Sequence, residues 1–123
     1  MAGIALAVEP DFIVRSHIRD ALRGLEFRVL EASGPGEALS AAAAQEEGVD
    51  LLVTEVILPR LNGIELASQL LQKNPEMRVL YVSTHMSQFV GENSAGVKGS
   101  AFLRKPFTTE QLLNRLLDLT QET

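Results

Sequence analysis

Five short apolar runs punctuate the chain: Ile4–Val8, Phe27–Glu31, Asp50–Glu55, Arg78–Ser83 and Ser100–Leu103. Each is too short for a helix. The first, third and fourth are apolar at consecutive positions, as in strands buried on both faces of a parallel sheet. Between them the period changes. In Phe12–Arg23, the residues Val14, Ile18, Ala21 and Leu22, with Leu25 just beyond, form one helical stripe. Gly36–Gln45 carries the Ala-rich run Ala38–Ala44, which has high helix propensity. Asn62–Lys73 places Ile64, Ala67, Leu70 and Leu71 on one face, and Thr109–Leu119 does the same with Leu112, Leu113, Leu116 and Leu117. Turn signals separate these segments: Gly24, Gly34-Pro35-Gly36, Gly48, Pro59 with Gly63, Asn74-Pro75, and Pro106 followed by Thr108 or Thr109 as an N-cap. The remaining connection, Met86–Ala95, contains Gly91, Asn93 and Ser94. Glycine alone costs about 1 kcal/mol in a helix interior, so this segment is expected to be a short, weakly held helix.

Strand and helix thus alternate five times. The expectation is an α/β fold, a doubly wound five-stranded parallel sheet with five helices covering both faces. One domain is expected over residues 1–123. In such sheets ligands and chemistry collect at the carboxyl ends of the strands. Those ends carry Glu9-Pro10-Asp11, Glu55, Ser83-Thr84 and Arg104-Lys105-Pro106-Phe107. Carboxylates gathered at one edge repel unless a cation joins them. Lys105 is one candidate cation and a divalent metal is another.

Composition narrows the chemistry. Hydrophobic residues are 46% and charged residues 22% of 123, a globular balance. A chain this long buries roughly two thirds of its unfolded surface, enough to fold without disulfide or metal. There is no cysteine, which removes thiolate nucleophiles and Cys-ligated metals. The net charge of −5, without a basic run, disfavours direct nucleic-acid binding. No apolar stretch reaches the roughly 18 residues of a membrane span, and Met1-Ala2-Gly3-Ile4 lacks the basic n-region of a signal peptide. A cytoplasmic protein is expected.

At the strand ends the chain resembles the receiver domains of response regulators. The run Ile4–Asp11, with Arg15 after it, is similar to the first strand and acid cluster of that family. Asp50–Leu66 looks like the phosphoacceptor strand and the Pro/Gly loop behind it, with Glu55 at the acceptor position. Val79–Thr84 is similar to the strand ending in the switch hydroxyl, here Ser83. Phe102–Phe107 matches the aromatic switch position, Phe102, and the Lys-Pro dipeptide, Lys105-Pro106. The resemblance implies the flavodoxin-like strand order 2-1-3-4-5. It also implies a Mg2+ site, which at the matching positions would draw on Glu9, Asp11, Glu55 and Ile57.

Two positions depart from the family pattern. Its acid pair reads Glu9-Pro10 here, and Pro10 offers no carboxylate. Its acceptor aspartate is Glu55, one methylene longer, which moves the oxygens by about 1.5 Å. A misplacement of that order costs about 100-fold in a transfer that needs in-line geometry. Mg2+ tolerates little departure from octahedral geometry. Weak Mg2+ binding at best, no other cofactor and little phosphotransfer are expected.

The reading is an atypical, non-enzymatic receiver acting as a phosphorylation-independent interaction or dimerisation module. Its protein partners, a sensor kinase or an effector domain, would meet the face of the fourth helix, fifth strand and fifth helix. A homodimer is compatible with it. Two alternatives stand beside it: a conventional Mg2+-dependent receiver with Asp11 as substitute ligand, and a small flavodoxin-like cofactor-binding domain. Glu55 either imitates the phosphorylated form or belongs to a relic site paired with Lys105. If it imitates that form, Phe102 is expected to be buried. Asp11 is expected to cap the first helix. His17 is expected to be solvated, and His85 is expected to take no part in catalysis.

Overall fold

The computed structural model describes residues 3–84 and 99–121. Within them run β1 (Ile4–Val8), α1 (Phe12–Gly24), β2 (Arg28–Ala32), α2 (Pro35–Ala43), β3 (Leu51–Glu55), α3 (Gly63–Lys73), β4 (Arg78–Ser83), β5 (Ser100–Arg104) and α4 (Thr109–Thr120). Four of the five expected helices are therefore seen. The segment Met86–Ala95, with Gly91, Asn93 and Ser94, lies outside the described residues, as does His85, so α4 is the helix read as the fifth from sequence.

All pairings are parallel and the strand order is β2-β1-β3-β4-β5, as expected. The consecutive apolar runs are buried on both faces: every residue of β1 and β3 is buried, and five of six in β4. Alternation along these strands divides the core in two. Leu6, Val8, Leu52, Val79 and Tyr81 face one side with α2 and α3, through Ala38, Leu66, Ala67 and Leu70. Ala5, Ala7, Val53, Leu80 and Val82 face the other, against Ile18 and Leu22 of α1 and Leu112 and Leu116 of α4.

Element ends follow local chemistry. The Asp11 side chain accepts from the backbone N–H groups of Ile13 and Val14 and starts α1, as expected. Pro35 occupies the first turn of α2, one residue earlier than the sequence pattern suggests, because its fixed φ suits that position. Asn62 with Glu65, and Thr108 with Gln111, form capping boxes on α3 and α4. Gly63 is required by crowding: a Cβ there would lie 2.2 Å from the Glu55 backbone oxygen. The loop after β3 thus folds back tightly, held by the Gly63 N–H donating to Val56 O at 2.8 Å.

Candidate functional site

Register brings the site together. Val8 pairs with Thr54 and Glu55 with Val82, so Glu9 and Glu55 leave neighbouring strands at one level. Ser83 pairs with Arg104, which sets Lys105 just past the same edge. The Lys105 N–H donates to Ser83 O at 3.0 Å and fixes that approach. Glu9, Glu55 and Ser83 are buried, with Glu9 only 2% and Glu55 6% exposed. The carboxyl edge therefore holds two carboxylates in a nearly dry place, which is unfavourable without a counter-charge.

Lys105 supplies it. Its Nζ lies 2.6 Å from Glu55 Oε1 and 2.6 Å from Glu9 Oε1. The contact to Glu55 is a directed hydrogen bond. Glu9 Oε1 meets the ammonium as an ion pair, with no hydrogen bond of good geometry among the described residues. The second oxygens are held by backbone: Ile57 N–H donates to Glu55 Oε2 at 2.8 Å, and Asp11 N–H to Glu9 Oε2 at 3.0 Å. Burial by itself lowers the Lys105 pKa, but the hydrogen bond to Glu55 and the negative charges of Glu9 and Glu55 outweigh it and raise the group above its ordinary value.

The other singled-out residues fall around this centre. Arg15 donates from Nη1 to the Glu9 backbone oxygen at 2.7 Å and pairs with Glu31 at 3.2 Å, tying α1 to the ends of β1 and β2. The Ile57 side chain is about half exposed, so this residue meets the site through its backbone. Asp11 is exposed and its Oδ1 accepts two helix N–H groups at 2.9 and 3.2 Å. Phe102 is half-buried rather than buried, its ring tilted on Tyr81 at 5.9 Å. It stands on the last strand of the sheet, where burial is partial.

His17 corrects the sequence reading more sharply. It is not simply solvated: its ring stacks on Phe107 at 5.5 Å and its Nε2 lies 2.7 Å from Thr109 Oγ1. It joins α1 to the start of α4 across 92 positions, and no local pattern marks such a contact.

The arrangement suits an ammonium better than Mg2+. Among the described residues no three His, Cys, Asp or Glu side chains gather as metal ligands. Pro10 adds no carboxylate, Asp11 Oδ1 caps its helix, and all four oxygens of Glu9 and Glu55 already face a cation or an N–H. Mg2+ requires near-octahedral oxygen ligation at about 2.0–2.1 Å. The residues present do not fit it.

Residues 5–117 match the response regulator receiver domain family. Among curated proteins, the response regulator MprA of Mycobacterium leprae (strain TN) is 35% identical over 120 residues, 96% of this chain and 51% of that protein. MprA of Mycobacterium tuberculosis (strain ATCC 25177 / H37Ra) is 34% identical over the same length. The chain spans about half the length of the curated relatives it matches. The receiver domain of the hybrid histidine kinase CckA is 30% identical, with a TM-score of 0.69 over 95% of this chain and 98% of that one. The chemotaxis protein CheY4 of Vibrio cholerae shares the fold at 23% identity, with a TM-score of 0.82 over 97% of this chain and 99% of that one. No described helix is long and apolar enough to cross a membrane. With the family matched across nearly all of its length and the strand order in agreement, the chain belongs to the response regulator receiver domains of two-component signalling.

Proposed function

We propose that this chain is an atypical receiver, acting through protein contacts and without a phosphorylation cycle. One observation carries the reading: both oxygens of Glu55, at the acceptor position, are already engaged, one by Lys105 Nζ and one by Ile57 N–H. An acceptor in this family must attack in line while a metal neutralises the incoming charge. Here the nucleophile is longer than the family's aspartate, clamped, and without the second acid that Pro10 replaces. On this reading the chain is not an enzyme and works in the cytoplasm. Its partners are a sensor kinase or an effector domain, or a second copy, met on the face of β5 and α4.

The test is acetyl phosphate with Mg2+, read by intact mass. No phosphoadduct is expected on the unaltered chain. The double substitution Glu55→Asp with Pro10→Asp is expected to gain one that neither single substitution shows. A phosphoadduct mapped to Glu55 would defeat the reading, and its loss in Asp11→Ala would identify Asp11 as the substitute ligand.

A further inference from the structure

The sheet has a second edge, where its strands begin, and a groove opens there. It lies between the ends of α1 and α4 and the starts of β1, β3 and β4, with a volume of about 510 Å³. Leu51 lines it from the core, and the half-buried Leu25, Phe27 and Leu117 form apolar walls. Two opposite charges, Asp50 and Arg78, also line it. They are close in the fold, since the Arg78 N–H donates to Asp50 O at 2.9 Å. Their side chains nevertheless form no ion pair with each other. Asp50 Oδ2 accepts from the Ile4 N–H at 2.8 Å, which leaves Oδ1 without a partner among the described residues. Among the same residues the Arg78 guanidinium makes neither a hydrogen bond nor an ion pair. Arg78 is still seated: its stem lies over Gly99, where an added Cβ would come within 3.3 Å of Cδ and 3.1 Å of Nη1. A guanidinium fork suits a carboxylate, and a carboxylate oxygen suits an ammonium. The apolar walls suit an aliphatic or aromatic body.

We infer that this groove binds an α-amino acid with an apolar side chain. Its carboxylate would meet Arg78, its ammonium Asp50 Oδ1, and its side chain Leu25, Phe27 and Leu117. The inference goes beyond the phosphorylation-independent reading. The groove stands at the opposite edge of the sheet from Glu55, so either reading can fail alone.

L-Leucine is the probe, followed through the backbone amide resonances of Phe27, Leu51 and Leu117. Saturable shifts at these amides are expected in the millimolar range or below, with Glu9 and Ile57 at the other edge unmoved. N-Acetyl-leucine amide keeps the apolar body without either charge, and is expected to bind at least about tenfold more weakly. Arg78→Gln and Asp50→Asn are each expected to weaken leucine binding by about tenfold. The asparagine can still accept from the Ile4 N–H, so that variant removes the charge and keeps the strand start in place. Arg78→Lys, which keeps the charge without the fork, is expected to fall between the unaltered chain and Arg78→Gln. Absence of saturable shifts in the unaltered chain would overturn the inference, as would equal binding of N-acetyl-leucine amide. Unchanged leucine affinity in Asp50→Asn or in Arg78→Gln would overturn it too. Shifts at the same amides that grow with protein concentration alone would place a second copy in the groove and overturn it likewise.

Discussion

Lys105 shows how one side chain can settle the charge of a whole site. Breaking a buried ion pair from one side leaves an uncompensated charge and costs about 3–5 kcal/mol. Lys105→Met strands two carboxylates and is expected to lose at least about 3 kcal/mol, measured by urea denaturation at neutral pH. The sign of the pH effect follows from the raised pKa. A base whose folded pKa exceeds its unfolded value of about 10.4 gives its full stabilisation below that value. The contribution is lost as pH rises through the folded value, and Glu9 and Glu55 are the groups that face it. The stability difference between the unaltered chain and Lys105→Met is therefore expected to stay level from pH 7 to about 10 and to shrink above it. A difference that shrinks toward acid without an alkaline limb would show that Lys105 is not the controlling group.

Helix starts decide which acids can take part in chemistry. Asp11 looks from spacing like a spare carboxylate beside Glu9, yet its oxygen is spent on the first turn of α1. Asp11→Ala is expected to cost about 1 kcal/mol through the lost cap, and Asp11→Ser to recover most of it. Calorimetric melting of the two variants checks both values. This also marks where the sequence was informative. Strands β1, β3 and β4 were legible because residues buried on two faces leave unbroken apolar runs, and α1, α3 and α4 because a half-buried helix leaves a stripe. The Glu55–Lys105 pair was legible too, since both lie at strand ends that a parallel sheet must bring to one edge. The stacking of His17 on Phe107 was not, because the partner stands far along the chain and neither residue breaks its local pattern. Phe102 was expected to be buried if Glu55 imitates the phosphorylated form, but it stands on β5, the edge strand of the sheet, and is only half-buried.

At the scale of the molecule, the sheet is covered on both faces, and the polar groups that matter are collected at one edge where the strands end. The Lys105 contact has a consequence for the order in which the chain assembles. The ammonium closes a loop of 50 residues to Glu55, and a far longer one from residue 105 back to residue 9. Long loops must be closed at an entropic cost before the contact is rewarded, so such pairs form late. The two helices that pack beside the pocket, α1 and α4, are local structures that can form first. Lys105→Met is therefore expected to leave the folding rate nearly unchanged and to place most of its stability loss in faster unfolding. Stopped-flow refolding and unfolding in urea measure the two limbs separately, and a mainly slowed folding limb would show that the bridge is already made at the barrier. On this account the bridge acts as a latch on a finished structure: it governs how long the folded chain persists and not how quickly it is reached.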